Sequence, residues 1–245
     1  MPDLAHFTLS DMSTCSRALR EIGAGARSME EVGQRIVKYL YTDLSNGATG
    51  APACALVRLY KTHPYERLEP ALQAFARAVA GEHTLTGSTR CLTLLATAGD
   101  LPAWNVRQQS TGHQAIPLLS EEMVLRLPMV SQLVYQFGLE VRNVLAPDPA
   151  LLTDLDQRMY NVFYVANAPG SPYVPAQEGF VIPYGICSAL GFGGMLPSGD
   201  LMAIIMFAKL AISRNVADLF KTLALSAKLA VLPFVNGPTF ASEAT

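Results

Sequence analysis

The chain has 245 residues, which is enough for one sizeable domain with its own core but tight for two. Apolar residues make up 50% of the sequence and charged residues 16%, a balance that excludes a disordered chain. The net charge is −2 and no basic run occurs, so the sequence lacks the positive surface by which proteins bind nucleic acid.

Two helices are predicted at the N-terminal end. Apolar side chains recur every three or four residues across 10–26, the spacing that lines one face of a helix, until Gly23 and Gly25 interrupt it. A second helix is predicted to begin after Ser28, because Ser28 and Glu31 have the spacing of a capping box. Turn residues at 45–47 mark its end.

The middle of the chain alternates between strands and helices. Residues 53–60 and 90–98 are short apolar segments next to turn residues, which predicts two strands. Between them, Pro70–Ala80 has the apolar face of a helix. Residues 120–139 also follow helical spacing, but Pro128 must either kink this helix or split it into two pieces.

The clearest pattern lies in the C-terminal third. A predicted strand at 161–165 is followed by a loop at 168–179 that is rich in proline and glycine. Two apolar runs, 186–195 and 201–212, flank the turn sequence LPSGD and predict a β-hairpin. Because both runs are apolar at nearly every residue, we expect their strands to be central and covered on both faces.

The closing helix, predicted over 213–232 with Ser213 as its N-cap, has two apolar stripes. One stripe suits packing on the sheet. The other contains Leu225, Leu229 and Leu232, and it needs either a second subunit or a deeper core around the last turns. The sequence fits both alternatives.

Three segments give the chain a resemblance to the GAF family, small-molecule sensor domains related to PAS domains. The sequence SMEEVGQRIVKYLYTDL at 28–44 is similar to the helix that opens a GAF domain. CLTLLATAGDLP at 91–102 resembles the second strand of the family, and residues 188–231 resemble the final hairpin and helix. The resemblance is to the version found ahead of bacterial histidine kinases, and it implies an α+β fold with a central antiparallel sheet flanked by helices.

The resemblance also implies a domain organisation and a function. Residues 1–27 would form a signalling or dimerisation helix, 28–235 the sensor domain, and 236–245 a disordered tail. The domain would bind a small-molecule effector, form a homodimer through its terminal helices, and relay the signal without being an enzyme. No output domain is recognised, so we expect action through a separate partner, such as a histidine kinase, or as part of a longer protein.

The ligand of such a domain would bind in an apolar pocket between the sheet and a covering insertion, here residues 104–114 and 168–183. Polar side chains in these segments and the adjoining strands are the candidate ligand-binding residues: Arg107, His113, Tyr164, Tyr173, Gln177, Tyr184 and Cys187. The sequence lacks the family's cyclic-nucleotide motif and has no Cys beside a His for tetrapyrrole attachment. Those two ligand classes are disfavoured, and the cofactor is left open.

Several residues have a second interpretation. His113 could be an axial haem ligand or a general base, but it has no second group spaced to orient it, which favours an ordinary loop residue. The glycines of GFGG at 191–194 do not fit a phosphate-binding loop and indicate close backbone approach within a strand. No metal site or disulfide framework is expected, because the four cysteines are scattered without ligand spacing.

Two rival functions remain open from the sequence. The four cysteines allow an enzyme on the same fold, such as a GAF-type free methionine sulfoxide reductase, although the cysteines are predicted to be buried packing residues. The other rival is a dimerisation scaffold that binds no ligand.

A cytoplasmic protein without membrane contact is expected. The longest apolar run, Leu201–Ala208, is far shorter than the about 20 residues that cross a bilayer. The N-terminal segment MPDLAHFTLSDMS has neither a basic leader nor the apolar core of a signal peptide.

Overall fold

The structure, a computed structural model, describes residues 1–147 and 161–243. Its centre is a six-stranded antiparallel sheet in the order β3-β2-β1-β6-β5-β4. The strands are β1 (Cys54–Pro64), β2 (Arg90–Gly99), β3 (Ala115–Leu118), β4 (Val162–Val165), β5 (Ser188–Met195) and β6 (Leu201–Ala208). Helices flank this sheet, which confirms the predicted α+β class.

Seven α-helices accompany the sheet within the described residues. They are α1 (Leu9–Glu21), α2 (Met29–Asp43), α3 (Pro70–Ala80), α4 (Glu121–Leu125), α5 (Pro128–Gln136), α6 (Val141–Leu145) and α7 (Arg214–Val231). Pro128 stands at the first turn of α5, where its missing N–H removes no helical hydrogen bond. Of the two alternatives for 120–139, the split is therefore correct.

The sheet separates two apolar layers. Along β6, Ile204 and Met206 pack among α1, α2 and α7, whereas Ile205 and Phe207 belong to the layer on the other face with α4, α5 and α6. This alternation follows from the two-residue period of a strand. All eight residues of β5 and all eight of β6 are buried, which confirms that both faces of the hairpin are covered.

The glycines of β5 allow the two hairpin strands to approach closely. A Cβ atom added at Gly193 would lie 2.1 Å from the carbonyl oxygen of Met202. At Gly191 it would lie 2.8 Å from the Ile205 side chain. The interpretation of GFGG as a close approach of backbone is confirmed at these two positions.

The helix starts differ from prediction in one detail. Ser28 caps α2 by accepting a hydrogen bond from the Glu31 N–H at 3.2 Å, but the Glu31 carboxylate accepts from the N–H of Arg27 instead of Ser28. The predicted capping box is therefore only half formed. A reciprocal box stands at α1, where Thr8 and Asp11 exchange side-chain and backbone hydrogen bonds.

The predicted disordered tail is wrong for the described part of 236–245. The carbonyls of Pro238 and Thr239 accept hydrogen bonds from the first two N–H groups of α2, at 3.0 and 2.9 Å. Phe240 is fully buried in the main core, and residue 241 donates its N–H to Glu30. The segment therefore covers the start of α2, while 244 and 245 lie outside the described residues.

The second stripe of α7 is open to solvent in the monomer. Leu225, Leu229 and Leu232 are 39%, 43% and 39% exposed. The alternative of a deeper core around the last turns is therefore wrong. Pairing of two subunits through this stripe stays a prediction.

A buried ionic cluster joins the β5–β6 turn to the neighbouring strands. Asp200 is 6% exposed, and its carboxylate contacts the Lys61 ammonium at 2.7 Å and the Arg90 guanidinium. Ser198 donates a further hydrogen bond to it at 2.7 Å.

In the parts of the chain that the structure describes, no helix is both long enough and apolar enough to cross a membrane.

Candidate ligand cavity

A cavity of about 520 Å³ lies on the face of the sheet opposite α1, α2 and α7. Its floor consists of alternate residues of β1 and β6. The register places Leu56 opposite Phe207, Arg58 opposite Ile205, and Tyr60 opposite Ala203. All six side chains face the same way because each strand contributes every second residue.

Two connecting segments and α5 form the walls. The first segment contributes Leu101, Trp104 and residues 111–113, and the second contributes residues between Pro172 and Tyr184. Met129, Val130 and Leu133 of α5 complete the wall. The cavity therefore lies under the two segments that the sequence analysis placed over the pocket.

Aromatic rings pack edge-on along one part of the lining. Trp104 lies 4.6 Å from Tyr184 and 5.6 Å from Phe180, and Phe180 lies 5.0 Å from Phe207, as distances between ring centroids. The interplanar angles of 61–88° are the edge-to-face geometry that aromatic pairs favour. This cluster ties both covering segments to β6 and gives the cavity a rigid apolar wall.

Arg58 is the one cationic side chain of the lining, which contains no Asp or Glu among the described residues. Its Nη1 donates to the Tyr60 hydroxyl at 3.2 Å and its Nη2 to the Ser110 hydroxyl at 3.1 Å. Its Nε is buried and has no hydrogen-bond partner. Lys61 and Arg107 are buried and form ion pairs, whereas Arg58 is half-buried and makes no ion pair with any described residue.

His113 and Ala176 line the cavity and are partly exposed to solvent, so they lie at its open side, the cavity mouth. Partial burial, and then the positive charge of Arg58, lower the pKa of His113 below its ordinary value, so the ring is neutral at pH 7. Its backbone has a φ of 60°, and that of Ala176 is 59°. These are the two non-glycine residues with positive φ in the described ranges, and both line the cavity.

Of the seven candidate residues from the sequence, His113 and Tyr184 line the cavity. Arg107 does not. It is 7% exposed, and it contacts Glu30 at 2.5 Å and Glu69 at 2.7 Å, with its guanidinium 5.2 Å from the ring centre of Phe240. Its ion pairs join α2 to the start of α3, and its contact with the Phe240 ring adds the C-terminal segment.

The other four candidates also lie outside the lining. Tyr164 faces the helix side, where its hydroxyl donates to the carbonyl of Ile212. The Gln177 side chain donates to three loop carbonyls, which fixes the shape of the covering loop. Tyr173 is 39% exposed, and Cys187 is half-buried beside the carbonyl of Lys209.

The remaining cysteines are buried thiols. Cys15, Cys54 and Cys91 have no exposed surface, and burial raises the pKa of Cys54 and of Cys91 to about 12. A thiol with such a pKa stays protonated at neutral pH and is a poor nucleophile. Among the described residues, no group of three or more His, Cys, Asp or Glu side chains is placed to hold a metal ion.

Sequence reasoning missed Arg58, Tyr60 and Trp104. A signal for the first was present, because Arg58 places a charge within the apolar sequence ALVRLY of a mostly buried strand. Comparison of the sequence with models of known protein families and with curated proteins gives no match. The function is therefore inferred from the cavity and its side chains.

Proposed function

We propose that this chain is a sensory domain that binds a small molecule in the cavity and relays its presence through the terminal helices to an output partner. The observation that carries the proposal is the cavity itself. A volume of about 520 Å³, apolar walls and a few polar groups are the usual properties of small-molecule sites. They count against a ligand-free scaffold, in which side chains would fill this space.

The backbone at the cavity mouth supports the same function. A non-glycine residue with positive φ costs about 1–3 kcal/mol, and such residues concentrate at ligand sites. His113 and Ala176 carry this strain on the two separate segments that cover the cavity. The fold keeps both unfavourable conformations at one place, which is where a ligand would enter.

A route for the relay runs through β6. Ala203, Ile205 and Phe207 line the cavity, while Ile204 and Met206 contact the opposite core. The strand then leads within a few residues to α7, which packs on α1. A ligand that shifts β6 would therefore act on the packing of both terminal helices.

The single tryptophan of the chain provides the binding assay. Because Trp104 lines the cavity, its fluorescence reports occupancy without interference from another tryptophan. We expect the uncharged probe 4-phenylbutan-1-ol to change the emission of Trp104 with a saturable dependence on concentration. Emission that stays unchanged up to millimolar concentrations of this alcohol and also of 4-phenylbutyrate, the acid with the same carbon skeleton, would contradict the proposal.

Two matched variants locate the binding. Ala203→Leu adds three carbons to the cavity floor and should weaken the probe about fivefold or more, because steric overlap costs about 1–3 kcal/mol. Ala74→Leu adds the same volume on the exposed side of α3 and should bind like the wild type. Equal affinity in a folded Ala203→Leu protein would place the probe elsewhere.

A further inference from the structure

The charge at the cavity floor specifies the chemistry of the ligand. We infer that the ligand is a monoanionic organic acid whose carboxylate pairs with Arg58 and whose apolar body lies against the aromatic wall. This inference rests on the proposed function and adds the ligand class to it.

Arg58 has unused capacity for an acidic group. A guanidinium has five N–H donors, and the structure gives Arg58 two acceptors, the hydroxyls of Tyr60 and Ser110. The Nε–H is buried without an acceptor. A positive charge in a mostly apolar cavity is unfavourable unless it is paired, and a carboxylate matches the planar fork of an arginine.

The environment of Arg58 favours one negative charge over two. The lysines and the other arginine on or next to these strands are already paired, Lys61 and Arg90 with Asp200 and Lys209 with Asp100. The pKa of His113 is lowered below its ordinary value, so its ring does not supply a second positive charge at pH 7.5. A phosphate monoester, which carries close to two charges at neutral pH, would leave one charge unbalanced in the cavity, whereas a carboxylate is balanced by Arg58 alone.

The register of β1 and β6 indicates the length of the ligand. Leu56 and Phe207 form the next cavity-facing pair after Arg58, two residues along the strand and therefore about 7 Å away. Phe207 belongs to the aromatic cluster. An acid with a ring three or four carbons from its carboxylate would reach both the guanidinium and the aromatic wall, which makes 4-phenylbutyrate a suitable probe.

The test compares 4-phenylbutyrate with 4-phenylbutan-1-ol at pH 7.5 by the fluorescence of Trp104. The two probes have the same carbon skeleton and differ in the charged group. We expect the acid to bind about tenfold or more tightly than the alcohol, because hydrogen bonds to charged groups contribute more than neutral ones. Arg58→Met should abolish this preference while the alcohol still binds, and Arg58→Lys should keep part of it.

A control variant separates the effect of charge at the cavity from the effect of charge elsewhere. Arg214→Met removes an exposed cation on the opposite face of the sheet and should leave the preference unchanged. If the alcohol binds and the acid is not preferred, or if the preference survives in Arg58→Met, the inference of an acidic ligand is overturned and the cavity keeps its proposed role. If neither probe binds the wild type, the proposed function is overturned together with the inference.

Discussion

The buried cluster of Asp200, Lys61 and Arg90 gives the sharpest prediction about stability. Asp200→Asn keeps the size of the side chain but removes the single negative charge between two cations. Lys61 is 4% exposed and lies 2.7 Å from the carboxylate, so it cannot regain water without opening the sheet. The variant therefore leaves an unpaired charge in the interior.

The expected magnitude follows from this burial. Removing one partner of a buried ion pair costs about 3–5 kcal/mol, and we expect Asp200→Asn to lower the free energy of unfolding by about that amount. The double variant Lys61→Met with Asp200→Asn removes the stranded ammonium as well. It should recover about 1 kcal/mol or more relative to Asp200→Asn alone, which a double-mutant cycle measures.

The pH dependence provides an independent check. Burial alone would raise the pKa of Asp200, but the adjacent Lys61, the Ser198 hydroxyl and Arg90 outweigh it and lower the pKa below its ordinary value. The carboxylate therefore stabilises the fold above the ordinary pKa of about 3.9 and loses this contribution as the pH falls through the lower folded value. The difference between wild type and Asp200→Asn should be constant from about pH 5 to 7 and shrink below about pH 4.

The assay is urea-induced unfolding at several pH values, monitored by circular dichroism. A loss smaller than about 1 kcal/mol at pH 7 would refute the reasoning. So would a double variant that is less stable than Asp200→Asn, because the unpaired ammonium would then not be the cause of the loss.

Three further predictions concern the core and the strained backbone. Phe240→Ala should lower the free energy of unfolding by about 3–5 kcal/mol in thermal or urea unfolding, because Phe240 is fully buried. A loss under about 1 kcal/mol would mean that the C-terminal segment does not pack in the main core. Ala176→Gly should leave the free energy of unfolding unchanged or raise it by up to about 1 kcal/mol, because Ala176 has a φ of 59°, which glycine adopts without strain. The control Ala78→Gly, at an exposed position of α3, should lower it by about 1 kcal/mol. Similar losses in both variants would show that Ala176 is unstrained. In the native protein, a thiol reagent should modify half-buried Cys187 first, and it should modify the three buried cysteines only on unfolding. Fast modification of all four cysteines in the native protein would contradict their burial.

Local patterns in the sequence predict most of the fold. The central hairpin is recognisable because both strands are apolar at nearly every position and the turn between them is rich in turn formers. The split at Pro128 and the cap at Ser213 follow from the chemistry of single residues. These elements are determined by neighbours in the sequence, which is why a pattern finds them.

Elements that depend on distant contacts were not predicted. β3 has four residues, includes Pro117, and forms a strand because it pairs with β2 at the edge of the sheet, where proline is tolerated. The buried position of Phe240 depends on α2, which lies about 200 residues earlier in the chain. No local pattern in the polar C-terminal sequence indicates this contact.

The candidate site was predicted in place but only partly in composition. The position of the covering segments was implied by the resemblance to the GAF family, yet Arg107 lies in the first of them and pairs with Glu30 and Glu69, 77 and 38 residues away. The sequence cannot show which acid will pair with which base. Arg58 is the reverse case: it was not a candidate, because it lies in a mostly buried strand, yet it lines the cavity and has no acidic partner among the described residues.

Amide hydrogen exchange tests most directly the claim that the cavity binds a ligand and that the sheet transmits its presence. The protein is measured with and without saturating 4-phenylbutyrate, with Ala203→Leu as the comparison. We expect slower exchange in residues 101–113 and 172–184, together with altered exchange in α7 and α1, and smaller changes in Ala203→Leu. Exchange that changes nowhere, or in the cavity lining without any change in α7, would contradict the account.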